Sequence, residues 1–152
     1  MLDSKDINEY IEGLGSSARS ASYVLSSTDT ETKNLAIKSM ADTIENRTKA
    51  ILDANKVDIE EASKKDISDA LIDRLELTEK RIKSMISSLL RVVELPDPIG
   101  EVAKLPTTPS GIKVSQMRVP LGVVGIIYES RPDVTADAAA LCLKSGNACI
   151  LR

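Results

Sequence analysis

Residues 118–152 read RVPLGVVGIIYESRPDVTADAAALCLKSGNACILR, and the fold turns on this stretch. It opens with an apolar run over 121–128, rich in β-branched residues and holding Gly122 and Gly125, which is the pattern of a strand covered on both faces. Glu129-Ser130-Arg131-Pro132-Asp133 then supplies a helix start. Pro132 turns Arg131 away from the α conformation, Ser130 and Asp133 are both available as N-caps, and Asp133 and Asp137 set negative charge where the macrodipole favours it. The spacing predicts a helix over 134–144, with Lys144 in its last turn and Gly146 as a left-handed terminator. A second apolar strand over 148–151 completes a βαβ crossover in about 35 residues, the repeating piece of a doubly wound α/β sheet.

Such a unit gathers ligands outside the carboxyl ends of its strands, where a helix N-terminus offers free N–H groups to anions. Here that place is lined by residues 128–133 after the first strand and by Arg152 after the second. One crossover cannot bury both faces of two parallel strands, so the sheet is expected to need strands that this sequence does not hold.

Composition narrows the chemistry. The chain has 152 residues and a net charge of −3, with no Phe, Trp or His and three Tyr, so its core must be aliphatic and Ala-rich. Without His, the Ser/His and Cys/His nucleophile arrangements are excluded, and no metal site is expected. No basic cluster interleaved with aromatics suggests a nucleic-acid surface. Cys142 and Cys149 lack CxxC spacing and sit in apolar surroundings, as buried small residues do. The N-terminus is charged, and no apolar run is long enough to span a bilayer. A soluble, cytoplasmic protein without a membrane partner is therefore expected.

Upstream of this stretch the periodicity is helical. Ile7, Tyr10, Ile11, Leu14, Ala18, Ala21 and Leu25 recur at three and four residues, with Ser4 available as a cap and Gly13 and Gly15 weakening the pattern. Thr28-Asp29-Thr30-Glu31 fits a capping box for a second helix burying Ile37, Met40, Ala41 and Ile44. Asn46 is read as the start of a third, carrying Ile51 and Val57. Thr78 begins another, with Ile82, Met85, Leu89 and Val93 inward. Two prolines, Pro96 and Pro98, end the helical region. Residues 101–105 and 112–119 then flank a Pro- and Gly-containing turn, and 112–119 alternates apolar with polar, which predicts a β-hairpin with one wet face. Such a hairpin is expected either to meet another subunit, giving a homo-oligomer, or to be covered by its own chain.

The runs VPLGVVGIIYESRP over 119–132 and AAALCLKSGNA over 138–148, with LIDRL over 71–75 and LPDPIGEV over 95–102, closely resemble the γ-glutamyl phosphate reductase branch of the aldehyde dehydrogenase superfamily. The likeness covers the whole chain and corresponds to the N-terminal portion of that family. It implies a helical part of the cofactor-binding domain over 1–99, a hairpin arm over 100–119, and the first βαβ unit of a Rossmann-like NADP-binding domain over 120–152. It further implies NADPH-dependent reduction of γ-glutamyl phosphate to glutamate γ-semialdehyde and phosphate, in proline biosynthesis. In such enzymes a cysteine thiolate attacks the acyl phosphate and hydride reduces the resulting thioester. Neither Cys142 nor Cys149 matches the nucleophile's motif, so the catalytic cysteine is expected beyond residue 152 and the chain alone is expected to be an inactive fragment that folds poorly.

By position within the family, Tyr128 and Glu129 border the cofactor, while Ser130 and Arg131 reach the substrate. Arg131 falls where other aldehyde dehydrogenases steady the oxyanion with Asn, and its guanidinium suits phosphate or carboxylate. The alternative for Arg131 is a structural pairing with Glu129 or Asp133. Arg152 stands where the superfamily places a Lys near the adenine ribose, and a cation there fits a 2′-phosphate; the alternative is a frayed terminal residue. Two other readings stay open for the whole chain: a non-catalytic binding or assembly module, and a related acyl-phosphate or aldehyde dehydrogenase with another substrate.

Overall fold

The computed structural model describes residues 4–65, 67–129 and 131–152. Five helices come first: α1 (Ser4–Ser26), α2 (Thr30–Asn46), α3 (Thr48–Ser63), α4 (Asp69–Leu75) and α5 (Glu79–Glu94). The strands β1 (Val102–Lys104) and β2 (Ser115–Met117) follow, then β3 (Val123–Ile126), α6 (Pro132–Lys144) and β4 (Ala148–Leu151). β1 pairs antiparallel with β2, and β3 pairs parallel with β4, Val123 opposite Ala148 and Ile126 opposite Leu151. The α/β class and the βαβ crossover thus stand as the sequence indicated.

A three-helix core positions everything else. Ile37 and Ala41 of α2, Leu89 and Val92 of α5 and Ala140 of α6 are buried together, because each helix turns its apolar stripe to the same interior. α1 and α6 both pack on β4. At the α6–β4 turn Gly146 adopts φ 69°, and a Cβ there would sit 3.0 Å from Pro120 Cγ, so only glycine fits both the backbone and the space. Asn147 completes the corner. Its Oδ1 accepts from Gly122 N–H at 2.9 Å, and its Nδ2 donates to Ser145 O at 3.0 Å.

Several expectations are corrected. Gly13 and Gly15 do not interrupt α1, and Ser4 opens that helix instead of preceding it. The cap of α2 is Asp29, whose carboxylate accepts from Thr32 N–H, while the Thr28 hydroxyl donates back to Val24 O. Arg47, not Asn46, precedes α3, and its buried residues are Asn55 and Ala62; Val57 is exposed. α6 begins at Pro132 behind an extended Arg131, so Asp133 lies in the first turn and is not the cap. Both faces of the hairpin strands are exposed among the described residues, where one dry face was expected. β3 is only half-buried, and its flanks Leu121 and Ile127 are 85% and 88% exposed, because the described sheet there has two strands.

Candidate functional site

The carboxyl ends of β3 and β4 are stitched together by Tyr128 N–H donating to Arg152 O and Arg152 N–H donating to Ile126 O, both at 2.9 Å. This ladder carries Tyr128 and Arg152, two of the residues singled out in the sequence, to the same edge. The Tyr128 hydroxyl reaches Thr135 Oγ1 on α6 at 2.5 Å, which holds the ring across the first turn of that helix. Arg152 is exposed.

Glu129 points the other way. Its Oε2 meets Arg74 Nη1 at 3.0 Å, tying the loop after β3 to α4. Arg131 follows, extended ahead of Pro132 as steric conflict with the proline ring requires, and its Nη2 lies 3.6 Å from Asp133 Oδ2. That separation is an ion pair without a hydrogen bond. Ser130 lies outside the described residues.

Between α4, α5 and the start of α6 is a charged cleft of about 360 Å³, with Asp73, Arg74, Glu76, Arg81, Arg131, Asp133 and Asp137 on its walls. Its three guanidiniums are not equivalent. Arg81 is committed to the α4–α5 connection, donating to Asp73 O, to Glu76 O at 2.7 Å and to Asp73 Oδ1 at 3.0 Å. Arg74 is held by Glu129. Arg131 is the least engaged, its one ion-pair partner being Asp133 at 3.6 Å. A larger groove of about 660 Å³ adjoins this cleft, but no charged side chain lines it. The guanidiniums that could meet an anionic ligand thus line the smaller cleft and not the groove.

Of the residues named from the sequence, Tyr128, Glu129, Ser130, Arg131 and Arg152, only Arg131 is found on the cleft wall among the described residues, and Arg74, Arg81 and Asp137 were missed as cleft residues. LIDRL over 71–75 carries two of the lining residues, Asp73 and Arg74, but no periodicity says that they fold back to meet α6. The thiols stand apart from the cleft. Cys142 is buried, and burial followed by the proximity of Cys149 pushes it above the ordinary thiol range, which makes it a poor nucleophile.

No protein-family model matches the chain. It is 50% identical over 147 residues to the γ-glutamyl phosphate reductase of Clostridium tetani, covering 97% of this chain and 34% of that protein. It is equally 50% identical over 151 residues to the γ-glutamyl phosphate reductase of Psychrobacter arcticus, covering 99% of this chain and 35% of that one. Among solved structures it superposes on γ-glutamyl phosphate reductase from Thermotoga maritima with a TM-score of 0.82 at 44% identity, over 89% of this chain and 33% of the other. The Saccharomyces cerevisiae enzyme gives a TM-score of 0.83 at 34% identity, over 89% and 34%. The chain thus spans about a third of the length of the curated relatives it matches.

Proposed function

We propose that this chain is the N-terminal portion of a γ-glutamyl phosphate reductase, an enzyme reducing γ-glutamyl phosphate to glutamate γ-semialdehyde with release of phosphate. The observation that carries the reading is 50% identity across 97% of the chain to a reductase of that name. The geometry agrees with it. A substrate bearing a phosphate and a carboxylate needs a guanidinium that is not already spent, and Arg131 is that group. Ser130 is read as its neighbour on the substrate.

The cofactor is NADPH. An exposed cation, Arg152, stands at the carboxyl end of a parallel strand pair, and the first turn of α6 has no side-chain cap bond. That donor set fits an anionic dinucleotide. Tyr128 and Arg152 would hold it, Arg152 facing the 2′-phosphate, and Glu129, engaged by Arg74, would border it. Bound there, the cofactor supplies the hydride. What this chain's own residues do is orient: the Tyr128–Thr135 hydrogen bond fixes the ring and the Arg74–Glu129 pair fixes the loop.

By this reading residues 1–99 form the helical part of the cofactor domain and 120–152 its first βαβ unit. Residues 100–119 are an arm through which copies associate, in a cytoplasmic enzyme of proline biosynthesis. The test is a phosphate-dependent reduction of NADP by glutamate γ-semialdehyde, measured in the full-length protein that carries this chain. Arg131→Ala is expected to lower kcat/KM for this reaction about 100-fold or more, because a charge-assisted bidentate contact is lost. An unchanged kcat and KM would refute the role.

A further inference from the structure

One carboxyl group in the charged cleft is left without a hydrogen bond to one of its oxygens among the described residues. Asp137 stands one turn after Asp133 on α6, and both line the cleft. Oδ1 of Asp137 is closed to solvent and finds no hydrogen-bond partner among the described residues. Its neighbours are better served: Asp73 is met by Arg81 at 3.0 Å and Asp133 by Arg131 at 3.6 Å. A buried acceptor without a donor is costly, so a donor brought by a ligand is the natural way to complete it.

The cleft limits what that donor can be. Its volume of about 360 Å³ is at the small end of ligand pockets. A bare metal ion is a poor match: among the described residues no three His, Cys, Asp or Glu gather as metal ligands would, and Arg131 shares the wall. A carboxylate and a guanidinium in one small cleft are complementary to a zwitterion, whose ammonium and acid groups separate toward the two. Resting on the functional reading above, we infer that Asp137 is a specificity-determining residue that receives the α-ammonium of the γ-glutamyl substrate, with Asp133 adding negative charge and Arg131 facing the acid groups. The ammonium supplies the donor that Asp137 Oδ1 lacks among the described residues. Burial, and after it the charge of Asp133, hold this carboxyl above the ordinary range, and a counter-charge beside it would offset both.

The experiment uses the full-length enzyme with phosphate and NADP, comparing glutamate γ-semialdehyde with glutarate semialdehyde, which lacks only the amino group. Asp137→Asn is expected to lower kcat/KM for the amino substrate about 10- to 100-fold, mainly through KM, and to leave the deamino substrate within about threefold. The preference for the amino substrate then collapses. A preserved ratio overturns the inference, and so does a parallel fall in both values, which is the mark of general damage. A second measurement needs no variant. L-glutamate is expected to inhibit the wild-type enzyme at least about tenfold more tightly than glutarate, and equal inhibition overturns the inference even if the variant fails to fold. A wild-type enzyme that uses neither semialdehyde removes the functional reading itself, a result distinct from a preserved ratio in an active enzyme.

Discussion

Asp97 and Asp137 carry the same carboxyl and are driven in opposite directions. Burial pushes Asp97 up, but hydrogen bonds from Lys33, from Ile99 N–H and from Thr30 outweigh it and hold the group below the ordinary carboxylate range. Lys33, 2% exposed, sits 2.5 Å away. Lys144, 3% exposed, donates to Asn34 Oδ1 at 2.6 Å and Val93 O at 2.9 Å; burial lowers its pKa while the charge of Asp97 raises it. One carboxylate thus serves two buried ammonium groups. Asp97→Asn is expected to cost about 3–5 kcal/mol at pH 7, since breaking a buried pair strands the partner charge. Far-UV circular dichroism in urea would read this. Because the folded pKa of Asp97 lies below its unfolded value near about 3.9, its stabilisation is complete above that pH. It is lost as pH falls through the folded value, and the variant and wild type converge there. Asp137 has the reverse sign: its folded pKa is raised, so its ionisation opposes folding at neutral pH and ceases to do so below about pH 4. Asp137→Asn is therefore expected to raise the urea midpoint slightly at pH 7 and to match wild type near about pH 3. Lys144 was legible in the sequence only as a last-turn cation, because periodicity counts apolar residues and does not reveal a polar one turned inward.

Among the elements, those with a cap and a clean stripe were readable. α5 has Thr78 accepting from Arg81 N–H and buries Ile82, Met85 and Leu89, all as its spacing indicated. Val93, the fourth inward position, packs half-buried against the core, and Val92 beside it is buried as well. α4 was not read at all: seven residues are too few for a period to declare itself. Its place is fixed by a polar contact, Asn55 Nδ2 donating to Leu75 O at 2.9 Å and Leu77 N–H donating to Asn55 Oδ1 at 2.7 Å. The α6–β4 corner depends on Asn147 in the same manner. Asn147→Ala is expected to cost about 2 kcal/mol by leaving Gly122 N–H unpaired. Hydrogen exchange should quicken at Gly122 and along β3 and β4, and leave α2 and α5 protected; equal loss in the helices would contradict this local role.

For the molecule as a whole, the α/β class and the core of α2, α5 and α6 were written in the sequence, but the cleft was not. It is assembled from α4, α5 and α6, segments whose approach depends on tertiary packing that no local pattern encodes. Burial at the sheet also departed from expectation, because a strand's apolar run states what it can cover and not what is there to cover it. With Leu121 and Ile127 open to solvent, the isolated chain is expected to bind a hydrophobic dye and to keep its helical signal. Replacing both residues by Lys should reduce dye binding several-fold without lowering far-UV ellipticity, and unchanged dye binding would place the exposed surface elsewhere. No helix among the described residues is long and apolar enough to cross a membrane. The parallel pairing of β3 and β4 also sets a timetable. Gly122 and Asn147, joined at 2.9 Å, are 25 residues apart in the chain. At about 5–20 residues per second of synthesis, the first strand leaves the ribosome about one to five seconds before its partner exists. During that interval the nascent chain offers an unpaired, β-branched ribbon to whatever is nearby, which makes residues 121–128 the place for a chaperone to hold.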